Sequence, residues 1–354
     1  MSLREAARRS AVGTVGAAGA VVAGVAAGVL AEHRLVRRRV RPGGSRTELP
    51  TLEGTREERV VLPGDGDEVV LAVREAGPAT AALTVVFVHG YTVTSDCWAA
   101  QARDLGGPDG PGVRLVLYDQ RGHGGSPAGP AKDDTIEQLG RDLADVLRQR
   151  VPAGPVVLVG HSMGGMTIMA LAEQRPELFG DRIVGVALVG TSSAGMGQVS
   201  LGLPAAMAAP MDRLLPYAPR AAPLHRRAER FRASDSDLAR LINAQVAFGP
   251  HAPAGAHAAM ARMQAPMTLE TMAAFLPTFV THDRTGVLGP LKTVPTVIVV
   301  GEDDVLTPPS HSRIIADALP DAEFVEVPGS GHMVMMEAPE AVTDQLRKLI
   351  SRVT

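Results

Sequence analysis

Val156-Val157-Leu158-Val159-Gly160-His161-Ser162-Met163-Gly164-Gly165 is the stretch on which the fold turns. A run of β-branched and aliphatic residues leads into a serine boxed by glycines, and the helix-forming run Thr167 to Gln174 follows. That order reads as a buried strand, a tight turn and a helix. The G-x-S-x-G spacing has a mechanical reason. A serine at the apex of a strained strand-to-helix turn carries its hydroxyl beyond the sheet edge. Gly160 and Gly164 leave space where side chains would collide as strand and helix close on each other. Met163 opens the helix, and its backbone N–H points into the same space as Ser162 Oγ, where it can bind a developing oxyanion. The pattern alone is a weak signal, because Gly and Ser are common in loops. Its weight depends on a base, an acid and a second oxyanion donor elsewhere in the chain.

Working outward, the chain alternates strands and helices. Val60 to Leu62 and Glu68 to Glu75 read as an antiparallel hairpin around Gly64-Asp65-Gly66. Leu83 to Val88 and Val113 to Tyr118 are continuous apolar runs, hence strands buried on both faces. Trp98 to Leu105 begins a helix, and Thr135 to Val151 places Ile136, Leu139, Leu143, Val146 and Leu147 on one helical face. Arg182 to Val189, Thr296 to Val300 and Ala322 to Val327 read as further strands, with helices at Ser310 to Leu319 and Pro339 to Leu349. This alternation implies a parallel sheet covered on both faces, in which function collects at the carboxyl ends of the strands. His89-Gly90, Asp119 to Ser126 and Ser162 all fall at such ends.

From about Thr191 to Gly289 the strand signature stops. Helical segments replace it: Pro204 to Leu215, Pro223 to Arg232, Asp235 to Phe248, Ala254 to Gln264 and Leu269 to Val280. This reads as a helical cap inserted at about 194–289. Met207, Met211, Met260, Met263, Met267 and Met272 lie in it, either as ordinary core filling or as the lining of an adaptable apolar pocket.

The 354 residues suit one large α/β domain or one domain with an insertion. A net charge of −3 offers no argument for nucleic acid binding. The single cysteine, Cys97, excludes an intrachain disulfide and reads as buried filler beside Trp98. The ten histidines show no H-x-x-x-H spacing, so no metal site is expected.

A serine hydroxyl needs an adjacent base. His332, in the Gly-flanked loop after the last strand, is the candidate. An orienting carboxylate should lie at the end of the preceding strand, where Asp303 and Asp304 both qualify and Glu302 less well. Such a carboxylate fixes the imidazole tautomer and stabilises the imidazolium that forms. The second oxyanion donor should be the backbone N–H of Tyr91, paired with that of Met163. His89, His161, His123 and Arg121 read as loop scaffolding.

Together, His89-Gly90-Tyr91-Thr92, Asp119-x-Arg121-Gly122-x-Gly124-x-Ser126, Gly160-His161-Ser162-Met163-Gly164-Gly165, Gly301-x-x-Asp304-x-x-x-Pro308 and Gly331-His332 resemble the α/β-hydrolase fold superfamily. The resembling branch holds serine esterases, lipases and cofactor-free haloperoxidase-like enzymes, and the likeness runs from about Glu58 to Ile350. It implies a mostly parallel eight-stranded sheet with helices on both faces and a helical cap. It also implies that the acid is the fourth residue of G-x-x-D, Asp304, with Ser162 and His332 completing a triad and no cofactor. Serine at the nucleophile position argues against the dehalogenase and epoxide hydrolase branches, which use aspartate there.

The expected activity is hydrolysis of a carboxylic ester or thioester of a small, mainly apolar substrate. The scarcity of charge in 196–224 favours an apolar acyl group. Two alternatives stand: the same triad used for carbon–carbon bond hydrolysis, acyl transfer or perhydrolysis, and a non-catalytic binding protein on a hydrolase scaffold.

Residues 1–50 fall outside this domain, which spans 51–354. Ala11 to Ala31 is an uncharged run of Ala, Val and Gly, long enough to cross a bilayer at about 1.5 Å per residue. The reading taken is a single membrane anchor, with a cleaved signal peptide ending at Val29-Leu30-Ala31 or a peripheral helix as alternatives. Arginines 34, 37, 38, 39, 41 and 46 outweigh Arg4, Arg8 and Arg9, which would hold the main domain in the cytoplasm. Protease protection tests that orientation. A main domain untouched by protease added outside intact cells is the expected outcome, and its digestion refutes the assignment.

Overall fold

The computed structural model describes residues 49–63, 68–195 and 246–354. Strands β1 (Arg56–Leu62), β2 (Val69–Ala76), β3 (Thr84–Val88), β4 (Arg114–Tyr118), β5 (Val156–His161), β6 (Ile183–Val189), β7 (Thr296–Gly301) and β8 (Glu323–Val327) form one sheet. Its order is β1-β2-β4-β3-β5-β6-β7-β8. β1 pairs with β2, and β2 with β4, antiparallel. All other neighbours are parallel. The inner strands β3, β5 and β7 are buried at every residue, as strands covered on both faces must be. β1 and β2 alternate instead, as expected towards a sheet edge.

Helices are α1 (Ala99–Gly106), α2 (Ile136–Arg150), α3 (Met163–Gln174), α4 (Ala256–Gln264), α5 (Leu269–Val280), α6 (Pro309–Ala318), α7 (Val334–Glu337) and α8 (Pro339–Val353). The pleat decides which strand residues meet which helix. Val85, Phe87, Leu115, Leu117, Val157 and Val159 face one side, packed with α1 and α8. Val86, Val88, Val116, Tyr118 and Leu158 face the other, packed with α2, α3 and α6. After β3 the chain passes to β4 on one side and then returns to place β5 on the other. The loops after β3 and β5 therefore diverge from adjacent parallel strands, which is where such sheets open a crevice.

β1 starts earlier than the sequence suggested. The first strand was expected at Val60 to Leu62, yet Arg56–Arg59 already pair with Ala72–Glu75. Their charges face solvent along the edge of the sheet, so no apolar alternation marked them. The expected turn at Gly64-Asp65-Gly66 lies outside the described residues. So do segment 11–31, most of the cap helices expected before residue 246, Met207, Met211 and the sparsely charged 196–224 stretch. Among the described residues no helix is long and apolar enough to cross a membrane.

The two described cap helices sit over the strand ends. Met267 and Phe275 are buried against Ile136, Leu139, Met163, Met166 and Ala170. Met260 and Met263 join the cluster that holds Trp98 and Phe248.

The chain leaves the sheet at Thr191 and re-enters beside it at Asp283, with Ala194 and Asp283 forming an antiparallel bridge. The Arg284 N–H donates to Ser193 O at 2.7 Å. The Arg284 side chain is almost fully buried and reaches Glu137 at 2.7 Å and Glu173 at 3.1 Å. It also donates to His282 Nδ1 at 3.0 Å, while His282 Nε2 lies 3.0 Å from Ser192 O. A guanidinium only donates, so Nδ1 accepts and Nε2 carries the proton given to Ser192. The cap stem thus requires neutral imidazole. Burial, with the neighbouring Arg284 charge, lowers the His282 pKa to about 4.

The unfolded chain consequently binds more protons between about pH 4 and 6.5 than the folded one, and stability falls as pH drops through that window. The full effect is about 3 kcal/mol. His282→Gln keeps a donor and an acceptor but does not titrate. Thermal unfolding followed across pH 6.5 to 4 should show a flatter decline for His282→Gln than for wild type. Parallel curves would show that His282 does not set the slope.

Candidate active site

Ser162 occupies the turn between β5 and α3 with φ 51° and ψ −117°, a left-handed conformation that is strained for a residue with a side chain. Surrounding bonds hold it there. Its N–H donates to Val189 O at 2.9 Å. Its carbonyl accepts from Thr191 Oγ1 at 2.7 Å, from the Gly165 N–H at 2.9 Å and from the Met166 N–H at 3.2 Å. The two glycines have the role the spacing suggested. A Cβ on Gly164 would lie 2.2 Å from Val88 O, and one on Gly160 would lie 2.6 Å from Gly164 O. Strand β3, the turn and helix α3 meet backbone to backbone.

His332 lies in the loop after β8. Its Nδ1 is 2.9 Å from Asp304 Oδ2. Asp304 follows β7 and is buried, with its acceptor capacity filled. Oδ1 accepts from the N–H groups of Leu306 at 2.9 Å and Thr307 at 2.8 Å, and Oδ2 also accepts from Thr307 Oγ1 at 2.9 Å. Asp303 and Glu302 are exposed, so burial separates the three acids. Ser162, Asp304 and His332 are 9%, 3% and 6% exposed. His332 is brought beside the Ser162 turn through His161, whose ring centroid is 4.7 Å from that of His332. His161 Nε2 donates to the His332 carbonyl at 2.9 Å. Ser162 Oγ forms no hydrogen bond among the described residues. A hydroxyl at rest is compatible with a base bond that tightens only with substrate bound.

The scaffolding readings are met by geometry. His89 Nε2 accepts from the Gln120 N–H at 2.8 Å, and His89 Nδ1 lies 2.7 Å from Gly90 O. His123 Nε2 accepts from the Thr92 N–H at 3.2 Å, and burial lowers the His123 pKa to about 3. Thr92 has φ 60°, so the loop after β3 is itself held in an unusual conformation. Arg121 grips Asp142 with two hydrogen bonds, and the pair is almost fully buried. Burial pushes the Asp142 carboxyl up and the Arg121 guanidinium opposes it. The loop that follows β4 is thereby pinned to α2.

Tyr91 and Met163 are the two expected oxyanion donors. Neither backbone N–H is engaged in a hydrogen bond among the described residues. The Tyr91 side chain is tied into the cap. Its hydroxyl donates to Met272 O at 2.6 Å, and its ring meets Phe279 with centroids 5.1 Å apart. Cys97 is buried, and desolvation raises its thiol well above the usual range. Among the described residues no group of three His, Cys, Asp or Glu side chains is arranged to hold a metal ion.

A family model described as alpha/beta hydrolase fold matches residues 84–339. The chain belongs to the α/β-hydrolase fold family. This hydrolase is 26% identical over 269 residues to the sn-1-specific diacylglycerol lipase ABHD11 of Mus musculus, covering 75% of this chain and 80% of the lipase. Among solved structures, a thermophilic esterase from Thermogutta terrifontis aligns with a TM-score of 0.63 at 24% identity, over 84% of this chain and 99% of the esterase. A bromoperoxidase from Bacillus anthracis aligns with a TM-score of 0.64 at 18% identity, over 84% of this chain and 100% of that one. These likenesses show the hydrolase fold. The chain is an enzyme of the hydrolase class with esterase- and lipase-like relatives.

Sequence reading missed Thr191 and Thr307. Thr307 Oγ1 donates to Asp304 Oδ2 and is also 3.2 Å from His332 Nδ1. A signal was present. An aspartate in Asp304-Val305-Leu306-Thr307 can bond the N–H groups two and three residues on, which fixes the intervening turn. Thr307→Val removes the hydroxyl and keeps the N–H bond. Steady-state kinetics of this hydrolase should show kcat about tenfold lower with KM little changed. An unaltered kcat would reduce Thr307 to a packing residue.

Proposed function

We propose that this hydrolase cleaves the carboxylic ester or thioester of a small, mainly apolar molecule by nucleophilic catalysis. Ser162 Oγ attacks the acyl carbon, His332 takes the hydroxyl proton, and Asp304 holds the imidazole and stabilises its protonated form. The backbone N–H groups of Tyr91 and Met163 receive the oxyanion. Collapse of the tetrahedral species expels the alcohol or thiol, which His332 protonates. Water, deprotonated by the same imidazole, then releases the acid from the acyl-enzyme.

The observation that carries this reading is the conjunction of a strained Ser162 with a buried His332–Asp304 pair at 2.9 Å. Strain of that kind persists only where the surrounding structure enforces it, and here it aims a hydroxyl past a sheet edge. The lipase and esterase names of the relatives support an ester as the substrate. We place the hydrolase domain at 51–354 with its cap at about 194–289, and residues 1–50 as an anchor and linker, as parts of the same reading.

Treatment with a fluorophosphonate should modify wild-type protein at Ser162, and Ser162→Ala should abolish the label. Ester turnover should fall by about 10³-fold or more in Ser162→Ala and His332→Ala. Asp304→Asn should be severe and Asp303→Asn mild, and the reverse ranking would reassign the acid. A panel of acyl chain lengths should show preference for longer apolar chains. Preference for acetyl or charged groups would refute the substrate class.

A further inference from the structure

The segment that carries His332 is gripped on both flanks by the chain returning from the cap. The Met333 N–H donates to Ala247 O at 3.0 Å. On the other flank the link passes through one carboxylate. Glu337 Oε1 accepts from the Gly331 N–H at 3.0 Å, and Glu337 Oε2 accepts from the Gly249 N–H at 2.7 Å. The two backbones are in contact between these ties. A Cβ on Gly331 would lie 2.3 Å from Gly249 N, and one on Gly249 would lie 2.8 Å from Gly329 O. Beneath them, a Cβ on Gly301 would lie 2.2 Å from Gly331 O. The His332 loop is therefore pressed between the end of β7 and residues 247–249, with no side chain in between.

We propose that Glu337 is a positioning residue, which fixes His332 by locking its loop to residues 247–249 so that seating of the cap and alignment of the base are one event. This rests on the reading of Ser162 and His332 given above. Glu337 touches no reacting group. It borders a cavity of about 670 Å³ whose lining also includes Met335, Met336 and Cys97 but none of Ser162, Asp304 or His332. Both of its oxygens accept from an N–H, which is the arrangement of a carboxylate used as a clamp. Burial raises its pKa above the usual carboxylate range, and the Gly331 and Gly249 N–H groups oppose that shift without cancelling it. Hydrogen bonds to a charged acceptor are shorter and stronger than neutral ones. A neutral amide in its place would set an NH2 group against one of the two N–H donors and open one side of the clamp. Displacement of a catalytic group by about 1 Å can cost roughly 10²-fold in rate.

The test uses full-length wild type, Glu337→Gln and Glu337→Ala, with active sites counted by fluorophosphonate titration and turnover read on a chromogenic ester. Glu337→Gln should lower kcat per titrated site by about 10- to 100-fold, with KM changed by less than about 3-fold. The rate constant of fluorophosphonate labelling should fall in parallel, because it needs the same base. A purely structural role would lower the melting temperature and the titrated fraction and leave kcat per site intact, and that result overturns the inference. Should the amide variant fail to fold, Glu337→Asp keeps the charge but draws it back by one methylene, and the same comparison applies. A wild type that is not labelled at Ser162 overturns the underlying reading. A labelled wild type beside an unimpaired Glu337→Gln overturns the inference alone.

Discussion

The structure depends on a steric condition: three pieces of backbone meet at Ser162 with no side chain between them. Helix α3 starts so close beneath the end of β3 that a single methylene on Gly164 would collide with Val88 O. That closeness forces the turn into the conformation seen at Ser162, and it brings the loop after β3 alongside the helix N-terminus. Neither the Tyr91 nor the Met163 N–H is hydrogen-bonded among the described residues. The first N–H of a helix has no partner inside the helix, so its position in a crevice creates a site for negative charge. Loss of the close approach would remove the strain at Ser162.

The rest of the site is a problem of holding charge out of water. Among the described residues Asp304 is buried without an arginine or lysine partner, and it is satisfied by two N–H groups, a hydroxyl and an imidazole. Leaving such a carboxylate unpaired would cost several kcal/mol, so the loop after β7 is shaped around it. The neighbouring histidines show the converse. His89, His123 and His161 are buried and kept neutral by desolvation; His89 and His123 spend both ring nitrogens on backbone groups, and His161 spends its Nε2 on the His332 carbonyl. His332 differs from them in that its Nδ1 faces a carboxylate.

Much of this was legible in the residues, because the signals were local. Buried parallel strands advertise themselves as unbroken aliphatic runs, and glycines flank a serine only where backbones approach. Helices α1, α2, α3, α6 and α8 were expected within a few residues of their observed bounds. What escaped has a common physical cause. The start of β1 escaped because edge strands carry charge in place of alternation. The roles of Thr307, Thr191 and Glu337 escaped because each acts through a contact to another loop, and nothing in a threonine or a glutamate says which backbone it will meet. His161 was read as loop scaffolding, yet its bond to the His332 carbonyl could not be foreseen from a spacing of 171 residues.

The cap contacts follow a pattern that composition alone would not suggest. Its described residues meet the sheet domain through apolar packing and through several polar ties, three of which reach separate parts of that domain. The stem residues His282 and Arg284 join the chain leaving β6 to α2 and α3. Tyr91 OH joins the loop after β3 to α5. Gly249 joins residues 247–249 to the His332 loop through Glu337. A single such bond is worth about 1 kcal/mol net, too little to hold a cap by itself, but its direction is specific. Apolar packing supplies adhesion without fixing register, since methionines such as Met263 and Met267 adapt to many neighbours. The polar ties supply register. A shift of α5 or of residues 247–249 would therefore disturb the bonds that hold Tyr91 and the His332 loop.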